Sequence, residues 1–403
     1  MNPLRPARTY ILLAAGMIAL AAAIAVAIAY RFRAEMVRSF KGGRHVPAVV
    51  APTPDHIAGL DLPDGFRLNI FARDLGGPRM IAVADEGVVF VTRPGSGDVI
   101  ALEDADGDGA ADRRSTFVGG LAGVHGIALG RERMYLSTVR EVFAVDRRGS
   151  GSGRRERLLG DLPPGGYHPY RTLGVGPDGR LYVSVGSTCN ACVERHPESA
   201  TILRVGVDGR EREVFAAGLR NTIGFGWHPA TGEMWGVDNG TDWLGDDLPP
   251  EELNLLTRRA HYGWPFLFGP NQHVEGLREP MGFDREGFRA KATGSALEYP
   301  AHSAPIQLAF YTGSSFPPEY RGDAFVAMHG SWNRRPASGY EIARVRFHDG
   351  RPQAFEPFLT GFLVDDDTAF ARPASVAVAR DGSLLVGDEA NGVIYRVSYA
   401  RGR

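Results

Sequence analysis

A sixfold repeat of short β-rich segments constrains the fold of this chain more than any other feature. The segments read VVFV, MYLS, LYVS, MWGV, AFVA and LLVG, and they begin at residues 88, 134, 181, 234, 324 and 384. Five of them follow a turn-like segment rich in Gly or Asp, and most are followed by another apolar run such as VIAL or TILRV. Short antiparallel strands that recur about every 50 residues are typical of propeller blades. The sequence therefore predicts an all-β chain folded as a six-bladed β-propeller.

The first and last repeats also indicate where the domain begins and ends. The repeats occupy a domain of residues 60–403, and one step of 90 residues contains an excursion at about 265–305, which we expect to be a loop over one face. A β-sandwich array is the structural alternative, but repeats of similar size that end near the C-terminus favour closure into a ring. Many different functions use this fold, so the function must be inferred from a site.

An apolar segment precedes the repeats. Residues from Tyr10 to Tyr30 contain no charge and are bounded by arginines on both sides. This length fits a single membrane-spanning helix better than the shorter apolar core of a signal peptide, and no small-residue cleavage site follows it. We therefore predict an anchor (or signal sequence) at residues 1–33, and a linker at 34–59 that is rich in Gly and Pro.

The compartment is inferred mainly from the cysteines. Basic residues are as dense after the apolar segment as before it, so the positive-inside rule does not decide the orientation. The two cysteines, Cys189 and Cys192, could form a disulfide in an exported domain. A thioredoxin-like pair lacks its helix, and Val193 excludes the usual haem-attachment pattern. We expect a single-pass protein of a bacterial inner membrane with its propeller in the periplasm.

Charge limits the possible partners. The formal net charge is −2, and no region is strongly basic. Nucleic acid is therefore not an expected partner, because its binding requires a basic surface. A small-molecule ligand fits the sequence better.

The stretch from residue 218 to residue 265 has the composition of a ligand site. It contains the adjacent Arg220 and Asn221, four of the five tryptophans, and a loop dense in oxygen acceptors that includes Asp246 and Asp247. The alternative is a solvated surface loop, but the tryptophans indicate that the stretch is packed. Acidic loops of this kind suit Ca²⁺, and an Arg-Asn pair suits a planar anion.

A second acidic loop lies between two predicted strands. Asp104, Asp106, Asp108 and Asp112 alternate with small residues in the pattern of a calcium loop. Ser115 stands where such a loop has its final Glu, and the flanking strands exclude a true EF-hand. A structural cation site and a loop without an ion both remain open.

Polar residues recur where the predicted blades begin or end. Equivalent positions of different blades face the same axial opening, so one pocket is predicted to contain His125, His168, Arg220, Asn221, Asn239, His329, Arg334 and Arg372. A neutral imidazole such as that of His168 could act there as a general base. A structural role in loop packing is the alternative for each histidine.

Several motifs resemble the soluble pyrroloquinoline quinone (PQQ) sugar dehydrogenases, and most closely their glucose/sorbosone dehydrogenase relatives. HPYRTLGVGPDGRLYVSVG resembles the segment that carries the catalytic base of that family, which implies this role for His168. LRNTIGFGW resembles a motif that contacts the cofactor, which implies cofactor contacts for Arg220 and Asn221. The resemblance covers residues 60–400 in separated motifs.

The calcium site of the resembled family also has a counterpart. DNGTDWLGDDLPPEELNLL followed by HYGWP is similar to the segment whose two consecutive carbonyls hold Ca²⁺, which implies Gly240 and Thr241 as metal ligands. Thr241 replaces a proline, and an insertion leaves open whether Asp246 or Asp247 makes the acidic cofactor contact.

Other family positions differ here. The nearest counterpart of a quinone-contacting lysine is Arg334, and of two late arginines only Arg372 is present, since the other position is Ala374. We expect His125 to contact the cofactor as well, and Tyr299 and His302 to line the substrate side.

The resemblance implies oxidation of an aldose or a related polyol. His168 would remove a hydroxyl proton while a hydride passes to PQQ, and Ca²⁺ with Arg220 would stabilise the negative charge that develops. A periplasmic or membrane acceptor would receive the electrons. Two alternatives remain: a calcium-dependent lactonase or esterase, which predicts carboxylates converging on the axis, and a non-catalytic, membrane-tethered binding propeller.

Overall fold

The computed structural model describes residues 17, 20–23, 41–147 and 155–400. Before the first complete sheet lie strand β1 (Ala48–Val49), a short helix (Pro54–Ala58) and strand β2 (Phe66–Ala72). The next three sheets each contain four consecutive antiparallel strands. Their bounds are β3 (Ile81–Val83), β4 (Val89–Arg93), β5 (Asp98–Glu103), β6 (Arg113–Val118), β7 (Ile127–Leu129), β8 (Arg133–Ser137), β9 (Val142–Asp146), β10 (Glu156–Leu159), β11 (Leu173–Val175), β12 (Leu181–Val185), β13 (Thr201–Val205) and β14 (Glu213–Ala217).

The fourth sheet is interrupted by the predicted excursion. It contains β15 (Thr222–Trp227), β16 (Met234–Asp238) and β17 (Glu251–Leu256), and its last strand is β20 (Leu297–Tyr299). The excursion is not only a loop, because it contains β18 (Leu267–Phe268), β19 (Gln272–His273) and a helix (Arg285–Lys291) before β20.

The last two sheets complete the repeat. The fifth contains β21 (Pro305–Phe310), β22 (Ala324–Met328), β23 (Glu341–His348) and β24 (Arg351–Leu359), with a 3₁₀ turn at Pro318–Tyr320. After β25 (Leu363–Asp365) and β26 (Thr368–Ala369), the sixth sheet contains β27 (Pro373–Val378), β28 (Leu384–Asp388) and β29 (Val393–Tyr399), together with β2.

The six four-stranded sheets form a closed ring. The strands β3, β7, β11, β21 and β27 each contact the first strand of a neighbouring sheet, and β15 contacts β12 of the third sheet. Strand β2 pairs with β29, so a strand from the start of the domain completes the last blade. Each of six clusters of buried apolar residues lies mainly between two neighbouring sheets. The predicted six-bladed β-propeller is confirmed, and its core is distributed between the blades.

The residues before the propeller contact its loops. Lys41 N donates to Trp243 O at 3.0 Å, His45 N donates to Trp332 O at 2.9 Å, and β1 pairs in parallel with β26. Residues 41–59 of the predicted linker therefore lie against the propeller. Most of the predicted helix between Tyr10 and Tyr30 lies outside the described residues. Among the residues described, no helix is long and apolar enough to cross a bilayer.

Replacing Phe66 by alanine is expected to destabilise the closure of the ring. The Phe66 ring on β2 lies with its centroid 4.7 to 5.3 Å from those of Phe316, Tyr320, Phe358 and Tyr399. Loss of these contacts should lower the free energy of unfolding by about 3 kcal/mol. Urea denaturation measures this change, and Val214→Ala, on an exposed part of β14, is the control, with an expected change within about 0.5 kcal/mol. Equal effects of the two substitutions would contradict the role of Phe66.

Candidate functional site

Loops at one end of the ring surround a central cavity of about 270 Å³. The loops that lead into β3, β11, β15 and β21 contribute to it, as do the loops that follow β16 and β22. The lining residues are Arg79, Tyr167, His168, Pro169, Tyr170, Arg220, Asn221, Ile223, Asn239, Gly240, Asp242, Glu251, His302, Ala304, Ile306, His329 and Trp332. The convergence of blade-entry loops therefore brings together seven of the predicted residues, namely His168, Arg220, Asn221, Asn239, Gly240, His302 and His329.

The imidazole of His168 is held in one orientation. Its Nδ1 lies 2.8 Å from Ser187 Oγ, and that hydroxyl donates to Cys189 O at 2.7 Å. A hydroxyl has one proton, so Ser187 Oγ accepts from His168, and Nδ1 must carry hydrogen. The other ring nitrogen, Nε2, is left as an acceptor. Burial, followed by the positive charge of Arg220, lowers the pKa of His168 well below its usual 6.5. The ring is therefore neutral at neutral pH.

The guanidinium of Arg220 is buried, and four of its five N–H groups donate to neighbouring residues. It donates to Asn190 O at 3.0 Å, to Asn190 Oδ1 at 2.8 Å, to Asn239 O at 3.3 Å and to Asp242 Oδ2 at 2.6 Å. The guanidinium carbon of Arg220 lies 6.0 Å from the centroid of the Tyr167 ring. A guanidinium with this many partners is fixed in the cavity wall, where it can stabilise negative charge without reorganising.

A buried carboxylate at the end of β16 shapes the backbone that presents Arg220. Asp238 accepts hydrogen bonds from the backbone N–H groups of Arg220 and Asn221 at 2.9 and 2.8 Å, and from Thr222 Oγ1 at 2.8 Å. Burial raises the pKa of Asp238 to about 6. These contacts tie the start of β15 to β16 and so fix the adjacent arginine and asparagine.

Two charged residues of the cavity were missed by the sequence analysis. Arg79 precedes β3, pairs with Glu389, and donates to His125 Nε2 at 3.3 Å. Glu251 accepts from Gly240 N at 2.8 Å and from Ala304 N at 2.9 Å, and burial raises its pKa to about 8. Arg79 stands just before a first strand, as Arg220 does, so the repeat register could have identified it.

Comparison with known proteins assigns the chain to a family. A family model described as TrAA12-like matches residues 60–265 and 281–400. The chain belongs to the TrAA12-like family. The family resemblance found in the motifs is thereby confirmed, and the gap in the match falls within the excursion that contains β18 and β19.

One sequence relative and two solved structures are also similar to this chain. An uncharacterized protein of Borreliella burgdorferi is 32% identical over 361 residues, which cover 85% of this chain and 91% of that protein. The calcium structure of the Trichoderma reesei family AA12 carbohydrate-active enzyme has a TM-score of 0.73 at 20% identity, and it covers 87% of this chain and 98% of that one. The holo form of the pyranose dehydrogenase PQQ domain from Coprinopsis cinerea has a TM-score of 0.72 at 21% identity, with coverages of 86% and 98%.

Several predicted residues of this TrAA12-like chain lie outside the cavity. His125 is buried behind Arg79, with Nδ1 3.1 Å from Arg171 O. Arg372 donates to the carbonyl oxygens of His329 and Gly330 at 3.3 and 2.8 Å. His125 and Arg372 are therefore not in the cavity lining, and the cofactor contacts predicted for them stay predictions.

Arg334 contacts the two aspartates that follow the insertion. Arg334 donates to Asp246 O at 2.9 Å and pairs with Asp247 at 3.1 Å. The three residues are not in the cavity lining, and the cofactor contacts predicted for them stay predictions. Tyr299 donates to Glu341 and packs on Phe355, so it lies between two blades and outside the cavity lining.

The predicted metal ligands fall into two places. Gly240 lines the cavity, whereas Thr241 is buried next to it and outside the lining. In the outer loop between β5 and β6, carboxylate oxygens of Asp104, Asp106 and Asp108 lie close enough to share an ion. Asp112 does not join them and accepts instead from Ala105 N at 2.7 Å. The two loops are separate, so the acidic loop is no part of the central site.

Proposed function

We propose that this chain is a PQQ-dependent dehydrogenase that oxidises an aldose or a related sugar at a hemiacetal or alcohol carbon. The observation that carries the proposal is the arrangement of His168, whose Nδ1–H is engaged by Ser187 and whose Nε2 is left as an acceptor in a cavity that also contains Arg220. This is the arrangement that a general base needs. Relatives named for PQQ-dependent pyranose oxidation and for family AA12 support the same function.

The chemistry of the cavity wall fits an acidic, planar cofactor. Arg79 and Arg220 supply guanidinium groups, and Tyr167, Tyr170 and Trp332 supply aromatic surface. In this proposal Arg79, Arg220 and Asn221 hold PQQ through its acidic groups. A carboxylate-bearing ligand would find these donors already placed.

An oxygen-rich part of the cavity wall adjoins Arg220, which pairs with Asp242. Gly240, Asp242 and Glu251 are adjacent there, and oxygen donors are the ligands that Ca²⁺ prefers. We assign Ca²⁺ to the carbonyl groups of Gly240 and Thr241, with the calcium structure of the family AA12 relative in support. Arg334 donates to the backbone carbonyl of Asp246 and pairs with the carboxylate of Asp247, and neither aspartate is in the cavity lining.

The residues of the chain divide the work of the reaction. PQQ, when bound, supplies a quinone that accepts a hydride. His168 Nε2 takes the proton of the sugar hydroxyl, while Nδ1–H stays on Ser187 and stabilises the imidazolium that forms. Arg220 stabilises negative charge in the site. His302, whose Nε2 donates to Gly245 O at 2.8 Å, forms part of the substrate wall.

The location of the enzyme is part of the proposal. The disulfide between Cys189 and Cys192 favours an exported domain. We propose that residues 1–33 anchor the chain in a bacterial inner membrane, that the propeller lies in the periplasm, and that a periplasmic or membrane acceptor receives the electrons.

Titration of the full-length chain with PQQ tests the proposal. Binding is expected to require Ca²⁺, and the loaded protein should reduce a dye when an aldose is added. Removal of Ca²⁺ by a chelator should lower the rate at least about 10- to 100-fold, because the ion orients the cofactor. Absence of PQQ binding would contradict the proposal. Hydrolysis of lactones would then favour a lactonase, and sugar binding without turnover would favour a binding propeller.

A further inference from the structure

The disulfide loop, residues 189–192, contacts both polar side chains that the proposed reaction uses. At its centre Asn190 accepts from Arg220 through O at 3.0 Å and through Oδ1 at 2.8 Å. The same side chain donates to Asp242 O at 3.0 Å and accepts from Asp242 N at 2.9 Å. Asn190 therefore joins the arginine and its carboxylate partner to a single loop.

The first residue of the disulfide loop acts on the histidine. Cys189 O accepts a hydrogen bond from the Ser187 hydroxyl at 2.7 Å, and Ser187 Oγ accepts a hydrogen bond from His168 Nδ1 at 2.8 Å. Ser187 O also lies 3.2 Å from Nδ1, so a second carbonyl group favours hydrogen on this nitrogen. If the carbonyl of Cys189 moved away, the serine hydroxyl would be free to donate to the imidazole, and the preference for hydrogen on Nδ1 would be weaker. The carbonyl of Cys189 thus strengthens the preference for one tautomer of the ring.

We propose that the disulfide loop is a positioning element of the site: Asn190 fixes the Arg220 guanidinium, and the carbonyl of Cys189, acting through Ser187, favours the His168 tautomer with hydrogen on Nδ1. The catalytic role of His168 and Arg220 rests on the proposed function, whereas the hydrogen bonds that position these two side chains do not depend on it.

The disulfide explains how an irregular segment can hold these atoms in place. Strand β12 ends at Val185 and β13 begins at Thr201, so the loop lies in a long connection without regular backbone pairing. Such a segment loses much conformational entropy when it is ordered. The bond between Cys189 and Cys192 closes a ring of four residues around Asn190. Beside it, Thr188 N and Oγ1 donate to the two carboxylate oxygens of Glu194 at 2.5 and 2.6 Å.

Reduction of the disulfide tests the proposal in the native chain. The chain has two cysteines, so a dithiol reductant has one target: it delivers two electrons and two protons, giving two thiols and one cyclic disulfide of the reductant. The imidazole ¹⁵N shifts of His168, assigned with His168→Gln, report the tautomer without PQQ or sugar. The oxidised chain should show hydrogen on Nδ1, and the reduced chain a mixture of tautomers. The double variant Cys189→Ser/Cys192→Ser should match the reduced chain.

The variant Asn190→Ala tests the contact of the loop with Arg220 separately from its contact with His168. It leaves the carbonyl of residue 189 in place, so the His168 tautomer should be retained while kcat of the loaded enzyme falls about 10- to 100-fold. Asn69→Ala is the matched control, because Asn69 donates to Gly109 O at 2.8 Å in a part-buried site outside the cavity, and its kcat should be unchanged.

The outcomes distinguish this proposal from the proposed function. A tautomer change on reduction in a chain that oxidises no sugar supports the positioning role and contradicts the dehydrogenase. Unchanged ¹⁵N shifts after complete reduction, verified by thiol titration, would overturn the positioning of His168. An unchanged kcat of a folded Asn190→Ala enzyme would overturn the positioning of Arg220.

Discussion

The variant His168→Gln is expected to lower kcat for sugar oxidation by about two to four orders of magnitude. Glutamine can still donate to Ser187, and so preserves packing, but its amide cannot take a proton from a hydroxyl. PQQ affinity should change little, since the arginines of the cavity hold the acidic groups. Steady-state kinetics with an aldose and a dye acceptor, together with a PQQ titration, measures the two effects separately.

The pH dependence of the wild-type enzyme follows from the same residue. A general base must be neutral, and burial together with Arg220 lowers the pKa of His168 well below 6.5. Because the ring stays neutral down to that lowered pKa, kcat should be constant as pH falls to 6.5 and should decrease only at lower pH. Arg171 donates to the backbone carbonyl of His168, and its positive charge also lowers the pKa of the ring, while the Ser187 hydroxyl is neutral.

An exposed histidine provides the control. His348 is 79% exposed at its side chain and pairs with its neighbour Asp349, so His348→Gln should leave kcat unchanged. If His168→Gln keeps more than a tenth of the wild-type kcat, the proton is taken by another group. An acid limb at or above pH 6.5 would equally count against His168.

Most of the fold could be predicted from local patterns. Each repeat has alternating apolar residues and a turn rich in Gly or Asp, and both signals are short-range, so all six cores coincide with strands β4, β8, β12, β16, β22 and β28. The closing strand β2 was not predicted, because its partner β29 lies at the far end of the chain. Pairing over such a distance leaves no local signal, and the short β20 after the excursion was missed for the same reason.

The sequence correctly predicted site residues whose place in the cavity depends on their position along the backbone of a blade. His168 and Arg220 lie in the cavity because they stand at the entrance of a blade. Register does not fix the direction of a long side chain. Arg372 also stands at a blade entrance, but nearby carbonyl groups bind its guanidinium. Arg79 was overlooked, and it supplies a cation to a cavity in which the resemblance suggested that a lysine was missing.

Arg220→Ala is expected to reduce the free energy of unfolding by about 3–5 kcal/mol, because it leaves a buried carboxylate without its cation. Arg220 Nη2 and Asp242 Oδ2 are 2.6 Å apart, and their side chains are 3% and 10% exposed. Asn333 Nδ2 would remain as a donor to Asp242 Oδ1 at 2.9 Å. One amide compensates poorly for a lost guanidinium, so the variant should unfold at a lower urea concentration than the wild type.

A second ion pair in the same chain supplies the matched control. Arg133 and Glu156 are 2.7 Å apart, and their side chains are 48% and 54% exposed. The two pairs differ mainly in burial, so Arg133→Ala should cost only about 0.2–1 kcal/mol. Urea denaturation of both variants at equal salt measures the difference. The double variant Arg220→Ala/Asp242→Ala should lose less than the sum of its single variants, because the unpaired charge is gone. Equal losses for Arg220→Ala and Arg133→Ala would mean that water reaches the site and that Arg220 is not held as the proposed chemistry requires.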